Sequence, residues 1–234
     1  MLKGPLSMPI PLCHQNFFSK HFKFYLMTIP IKITKFSIPI LLIAFRVLLA
    51  PIMLLLGYFY QKQYINVIVL LLYLGLISDI LDGIIARKQQ TSSTKLRRMD
   101  SQADMLFWLS AGFTSWFIYP QTIAQNSWVI GGLLSMEVSC YVVSIAKFGK
   151  ETCTHAYLSK FWGLTLLFAF TDLMLHGNAG FLFFFCLFAG IVSHIDRLLI
   201  TLILPTWQHD VPSFYHAYLI RKGKTFKKFL LFNG

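Results

Sequence analysis

The amino-acid sequence predicts an all-α integral membrane protein, a bundle of six transmembrane helices with both termini in the cytoplasm. Composition supplies the first observation, because 56% of the 234 residues are hydrophobic and only 13% are charged. A soluble domain carries about 25% charged residues. The other two observations are six long apolar segments and a one-sided distribution of Lys and Arg. Membrane lipids, rather than nucleic acid, are therefore the partners expected from the net charge of +12.

Each apolar segment is long enough to cross a bilayer, which takes about 20 predominantly apolar residues. The predicted spans are 36–60, 64–86, 99–119, 128–147, 158–176 and 180–204. Short connections, such as 120–127 and 177–179, predict that neighbouring helices pair as antiparallel hairpins.

Three regions follow from these spans. They are a basic, amphipathic cytoplasmic segment over 1–35, the six-helix transmembrane domain over 36–204, and a basic, aromatic cytoplasmic tail over 205–234. The tail alternates aromatic and basic residues, which favours a position on the membrane surface. A solvated, disordered tail is the alternative.

The basic residues determine the predicted orientation. Five precede the first span, five lie between the second and third spans, three lie between the fourth and fifth, and five follow the sixth. Lys62 is the single basic residue on the opposite side. Cytoplasmic loops are enriched in Lys and Arg, so both termini and the 87–98 loop are predicted to be cytoplasmic.

Four of the nine acidic residues fall between positions 79 and 104. Asp79 and Asp82 are three residues apart near the cytoplasmic end of the second span, and Asp100 and Asp104 are four apart at the start of the third. Each pair shares one face of its helix. Because the connecting loop is short, the two pairs are expected to face each other at the same depth.

Carboxylates gathered near a bilayer need compensation, since each uncompensated charge costs several kcal/mol, on the order of 2–4. Oxygen ligands without nearby His or Cys favour Mg²⁺ or Mn²⁺ over zinc. Arg87 adds planar donors for phosphate oxygens, and Gly83 leaves room for a flat ligand beside the backbone. The pattern therefore indicates a metal, a diphosphate and a nucleotide. The alternative is that the acids are counter-ions to the loop arginines.

The segment resembles the signature of the CDP-alcohol phosphatidyltransferase family. The matching residues are Asp79, Asp82, Gly83, Ala86, Arg87, Asp100 and Asp104, at the family's spacing. The family has a glycine where this chain has Leu96. The first span, which opens Ser37-Ile38-Pro39 and carries Arg46, is similar to that of phosphatidylglycerophosphate synthases. Alignment on Arg46 puts Ile40 and Ile43 where relatives have Asn and Thr, so part of the usual nucleotide contact is missing.

The resemblance implies a membrane enzyme that moves a phosphatidyl group from CDP-diacylglycerol to a small alcohol and releases CMP, in phospholipid biosynthesis. Glycerol 3-phosphate is the acceptor expected first, with inositol phosphate and serine left open. The resemblance also implies a homodimer with its active site on the cytoplasmic side. A catalytically silent family member and a small transporter or channel are the alternatives. A transporter predicts charges at several depths, whereas these acids cluster at one level.

The same resemblance implies roles for individual residues. Asp79, Asp82 and Asp100 would hold one divalent ion, and Asp100 and Asp104 a second. Gly83, Arg87 and a loop hydroxyl, Ser93, would contact the CDP group. Asp104 would be the general base.

A few further polar residues lie inside or at the ends of spans. Glu137 lies in the fourth span, and the run His194-Ile195-Asp196-Arg197 lies in the sixth. This run is expected either to form an internal ion pair that fixes helix packing or to contact substrate. Lys147, Lys160 and Arg197 either form a basic pocket for a phosphorylated acceptor or, for the two lysines, anchor the helices at the cytoplasmic surface.

Overall fold

A computed structural model describes residues 38–89, 93–151, 154 and 156–224, and this part of the chain is α-helical with no strand. Its helices are α1 (Ile38–Phe59), α2 (Ile65–Lys88), α3 (Thr94–Ile118), α4 (Pro120–Gln125), α5 (Ser127–Phe148), α6 (Tyr157–His176), α7 (Phe181–Ile203) and α8 (Phe214–Arg221). A short 3-10 helix, Gln61–Tyr64, joins α1 to α2. The predicted all-α class is confirmed. The predicted segment 1–35 lies outside the described residues.

Five helical segments within the described residues are long and apolar enough to cross a membrane. They are α1, Gln61–Lys88, α5, α6 and α7. The predicted third span corresponds to α3, whose 25 residues include a charged first half. The multi-pass character of the chain is thus confirmed for five helices, and a sixth span stays a prediction.

The start of α3 differs from the sequence prediction by five residues. The span was expected from 99, but α3 begins at Thr94, because the Ser93 hydroxyl accepts a hydrogen bond from the Leu96 amide at 3.2 Å. Such a cap satisfies a backbone donor that the first helical turn leaves without a partner. The connection between α2 and α3 is correspondingly shorter than predicted.

α1 is the helix around which the candidate site is built. Both α2 and α3 pack mainly against α1 and touch each other over a smaller surface. An apolar core joins the three helices to α6, through Leu49, Met53, Leu72, Phe107, Ala111 and Leu167. On the other side α2 contacts α6, α6 pairs with α7, and α7 packs against α5 and α8. Residues of α1 therefore lie between the two helices that carry the four aspartates.

The close approach of α2 and α3 depends on Gly75. A Cβ added at Gly75 would lie 2.1 Å from Cζ of Phe107, whose ring is almost fully buried. Gly75→Ala is therefore expected to lower the free energy of unfolding by about 1–3 kcal/mol, because a packed aromatic ring has to move. Thermal unfolding of the purified protein in detergent measures this loss.

Gly112→Ala in α3 is the matched control for Gly75→Ala. A Cβ at Gly112 meets no heavy atom within 4 Å, and alanine favours a helix more than glycine does. The control is expected to unfold at the wild-type temperature or above it. Equal unfolding temperatures for Gly75→Ala and the wild type would contradict the packing of Phe107 over Gly75.

The described part of the predicted tail, 205–224, folds back onto the helices. Val211 and Ala217 are buried in a cluster with Ala156, Ile200 and Leu204. The Phe214 amide, at the start of α8, donates to Asp196 Oδ1 of α7 at 2.9 Å. These contacts fix the described tail against α7. Its predicted position on the membrane surface stays a prediction.

Candidate active site

The four predicted aspartates come together at one place in the structure. α2 supplies Asp79 and Asp82, and α3 supplies Asp100 and Asp104, each pair from one face of its helix. One carboxylate oxygen each from Asp79, Asp82 and Asp100 lie within 4.8 Å of one another. Asp82 and Asp100 are buried, whereas about a third of the Asp79 and Asp104 side chains is exposed, at 33% and 31%. Two carboxylates are therefore open to an arriving molecule.

The guanidinium of Arg46, from α1, lies in the middle of these aspartates. Its Nη1 is 3.2 Å from Asp79 Oδ1 and donates to Asp100 Oδ1 at 3.1 Å. Nη1 also contacts Asp104, and Nη2 contacts Asp82. Arg46 is completely buried. The structure thus gives a central position to a residue that the sequence analysis used only to align the first span.

A signal for this role was present in the sequence. Arg46 is the only charged residue in the 22 residues of α1. An ionisable residue inside an apolar span almost always faces the bundle interior and a partner of opposite charge. The acids of α2 and α3 were the available partners.

The acidic cluster fits divalent cations. One guanidinium stands against four carboxylates, so the buried set holds an excess of negative charge that low-dielectric surroundings make costly. The side-chain atoms that could ligate an ion in this cluster are carboxylate oxygens, which are the ligands that Mg²⁺ and Mn²⁺ prefer. Asp79, Asp82 and Asp100 form the set best arranged to hold such an ion.

A small cleft, open to the outside, lies beside the carboxylates. Its lining residues are Pro39, Ile43, Asp82, Gly83, Ala86, Leu96, Arg97 and Asp100. Gly83 is one of the predicted nucleotide contacts, and the Arg87 guanidinium lies beside it, 3.4 Å from where a Cβ would be. Ser93 caps α3 and is not among these lining residues, so its contact with a nucleotide stays a prediction.

The two departures from the family pattern that line the cleft are packed together. Ile43 and Leu96 belong to one buried cluster with Ala86 and Ala103. Both side chains are less than a tenth exposed. One wall of the cleft is therefore apolar at the positions where the resembled family has a threonine and a glycine.

The expected basic pocket of Lys147, Lys160 and Arg197 is not assembled. The Lys147 ammonium donates to the backbone carbonyls of Thr201, Leu202 and Leu204 at 3.0, 2.6 and 2.9 Å, at the end of α7. Lys160, in contrast, has electrostatic interactions with Arg87, Asp210 and Arg97, and a weaker one with Asp79 of the acidic cluster. Besides Arg46, the basic charge near the site therefore comes from Lys160, Arg87 and Arg97.

Arg197 forms an internal ion pair, one of its two expected roles. Its Nη1 and Nη2 donate to Glu137 Oε2 and Oε1 of α5 at 2.7 and 3.1 Å. His194 Nε2 lies 2.7 Å from the same Glu137 Oε2. Asp196 is not part of this cluster, because it accepts from the Phe214 amide instead. The charged cluster therefore joins α5 to α7.

Comparison with known proteins bears on the site just described. The family model of CDP-alcohol phosphatidyltransferase matches residues 36–204. This range includes the whole acidic cluster, Arg46 and the cleft. Separate comparisons with curated proteins and with solved structures found no match.

Proposed function

The chain belongs to the CDP-alcohol phosphatidyltransferase family, and from this premise we propose that it transfers a phosphatidyl group from CDP-diacylglycerol to glycerol 3-phosphate and releases CMP. Members of the family are membrane phosphotransferases of phospholipid biosynthesis, which use a CDP-alcohol donor, an alcohol acceptor and divalent metal. The observation that carries the proposal is the convergence of Asp79, Asp82, Asp100 and Asp104 beside an open cleft.

The proposed chemistry assigns different tasks to the four aspartates. Asp104 accepts the proton of the acceptor hydroxyl, whose oxygen attacks the phosphorus that carries diacylglycerol. The bond from that phosphorus to the departing CMP oxygen breaks, and the new phosphodiester remains on the lipid. The exposed third of the Asp104 side chain suits this role, since a base has to reach the acceptor.

Asp79, Asp82 and Asp100 would hold one divalent ion, with Asp100 and Asp104 holding a second. Bound ions would neutralise the diphosphate and stabilise the charge of the leaving group. Arg46 neutralises part of the carboxylate charge. It also fixes the relative positions of α2 and α3.

The cleft would receive the CDP group of the donor. Gly83 leaves space for the ligand to approach the α2 backbone, Arg87 faces phosphate oxygens, and Ser93 offers a hydroxyl from the short loop. Lys160 supports glycerol 3-phosphate as acceptor, because its ammonium adds positive charge near Asp79, one of the two exposed carboxylates. An acceptor with its own phosphate gains from that charge.

We also propose that α3 is the sixth span, with the site and both termini on the cytoplasmic side. The charged residues of α3 lie in its first three turns, where Arg97 and Asp100 are buried in the protein. The remainder of the helix is apolar with several buried serines and threonines. Charges neutralised inside the bundle do not meet lipid, so they do not prevent this helix from crossing. A homodimer is proposed from the family resemblance alone.

Release of CMP from CDP-diacylglycerol tests the proposed function. Membranes or purified protein are supplied with Mg²⁺ or Mn²⁺ and, in separate reactions, glycerol 3-phosphate, inositol phosphate or serine. CMP release that requires both glycerol 3-phosphate and the divalent ion is expected, with the corresponding phosphatidyl product in the lipid fraction. Release with another acceptor only would replace the proposed acceptor.

The catalytically silent alternative rests on the apolar wall formed by Ile43 and Leu96. It predicts no CMP release with any acceptor. In that case Ile43→Thr combined with Leu96→Gly would be expected to restore CDP binding, measured as stabilisation of the purified protein by CDP. An active wild type contradicts the silent alternative directly.

A further inference from the structure

The family match ends at residue 204, yet an acidic residue beyond it contacts a residue that lines the cleft. Arg97, which lines the cleft from α3, pairs with Asp210: its Nε lies 3.3 Å from Asp210 Oδ2. Only 7% of the Arg97 side chain and 11% of the Asp210 side chain are exposed. Water and salt screen so buried a pair weakly, so each side chain restricts the position of the other.

The backbone around Asp210 is arranged to hold its carboxylate. Asp210 has a φ of 55°, in the left-handed region that few residues other than glycine adopt. On one side His209 Nδ1 lies 2.8 Å from Asp210 Oδ2, and on the other the Pro212 carbonyl accepts from the Tyr157 amide at 2.9 Å. Val211 between them is buried. Aspartate adopts this region more readily than most residues, and the contacts on both sides hold it in place.

Arg97 lies between two sets of acidic groups. Asp82 and Asp100 line the same cleft, and Asp210 holds the guanidinium from the side of the tail. Arg87 also has electrostatic interactions with Arg97 and with Asp210, and as a like charge it repels Arg97. Without the Asp210 charge, the carboxylates of the cleft become the stronger attraction for Arg97. The guanidinium would then leave its position at the edge of the cleft.

We propose that Asp210 is a positioning residue, which holds the Arg97 guanidinium at the edge of the cleft where it meets the diphosphate of the donor. The identity of that donor rests on the proposed function. A guanidinium presents a planar set of N–H donors to phosphate oxygens. Because Asp210 orients the Arg97 guanidinium, it affects binding of the donor and leaves the proton transfer to Asp104 unchanged.

Steady-state CMP release from CDP-diacylglycerol, at saturating acceptor, tests this role. Asp210→Asn, which keeps the size of the side chain and removes its charge, is expected to raise KM for the donor about tenfold, the loss expected for a hydrogen bond to a charged group. The expected change in kcat is less than about twofold. Asp210→Glu keeps the charge and is expected to recover part of the loss.

The decisive comparison is made in an Arg97→Gln background. Because Asp210 acts through Arg97, Asp210→Asn is expected to raise KM there by no more than about twofold. Glu151→Gln is the matched control. It makes the same acid-to-amide change against the neighbouring Arg98, which Glu151 binds through both carboxylate oxygens outside the cleft. The control is expected to leave KM for the donor unchanged. A tenfold effect of Asp210→Asn without Arg97, or an equal effect of the control, would overturn the proposal.

CDP binding separates this proposal from the proposed function. The unfolding temperatures of the purified wild type and of Asp210→Asn are measured in Mg²⁺ with increasing CDP. The variant is expected to need about tenfold more CDP for the same stabilisation. This factor equals the loss of affinity expected for the donor. If the wild type binds CDP in this way but releases no CMP, the transfer reaction fails and the role of Asp210 stands. Identical CDP titrations of the two proteins overturn the role of Asp210, even where both release CMP. A wild type that neither binds CDP nor releases CMP overturns both.

Discussion

Asp104→Asn is expected to lower kcat for CMP release about 10³-fold, within the range of about 10²–10⁴ found when a general base is lost. The amide keeps the size of the side chain but cannot accept the proton of the acceptor hydroxyl. Asp104 contacts Arg46, which fixes its position, and about a third of its side chain is exposed, so that the acceptor can reach it. Single-turnover measurements with saturating donor and acceptor isolate this step.

Asp172→Asn is the matched control for Asp104→Asn. Asp172 is also a helical aspartate, but it pairs with His176 near the end of α6, remote in sequence from the acidic cluster. The control is expected to retain wild-type kcat. Full activity of Asp104→Asn would remove Asp104 as the base and leave Asp79, the other exposed carboxylate, as the next residue to test.

Arg46→Met is expected to make the stability of the protein depend on divalent ions. Removal of one partner from a buried ion pair costs about 3–5 kcal/mol, because the remaining charge stays buried without compensation. Here four carboxylates lose their shared cation. In EDTA the variant is expected to unfold at a much lower temperature than the wild type. Millimolar Mg²⁺ is expected to restore much of the loss, since an ion bound only by the folded state stabilises it.

Arg197→Met provides the comparison for Arg46→Met. It also removes a paired arginine with little exposure, 12% of its side chain, but its partner is Glu137, and within the described residues this cluster has no second acidic residue to form a metal site. Its loss of stability is expected to be similar in EDTA and in Mg²⁺. A loss in Arg46→Met that is equally independent of Mg²⁺ would contradict the assignment of the four carboxylates to divalent ions.

The acidic cluster could be predicted from sequence because it depends mostly on local geometry. Helical periodicity alone places Asp79 with Asp82 and Asp100 with Asp104. A short connection then brings the pairs to one level. The apolar segments likewise predicted the helices, since five of the six predicted spans correspond to helices that are long and apolar enough to cross a membrane. Membership of the transferase family also favours catalysis over the transporter alternative.

The position of Arg46 could not be predicted in the same way. It is 33–58 residues away from the four aspartates that it contacts, so its position depends on how α1 packs between α2 and α3. Periodicity along one helix contains no information about that packing. The same limit applies to Asp210, whose partner Arg97 lies on a helix that is distant in sequence.

Ser93 and Lys147 show a different limit, in which one residue type serves several purposes. A serine just before a helix suits a cap as well as a nucleotide contact, and the structure shows the cap. A lysine at a cytoplasmic helix end suits an anion pocket or a set of carbonyls, and Lys147 binds the carbonyls. The choice depends on which groups lie nearby in three dimensions.

The charged cluster of α5 and α7 has a consequence for how the protein enters the membrane. Glu137 lies within one apolar helix, and His194 and Arg197 lie within another, two helices later. Either helix alone would expose a charge to hydrocarbon, whereas the two together enclose an ion pair. Because synthesis proceeds from the N-terminus, Glu137 is made before its partners His194 and Arg197. The ion pair can therefore form only after α7 has been made, so the pairing of α5 with α7 is a late step of assembly.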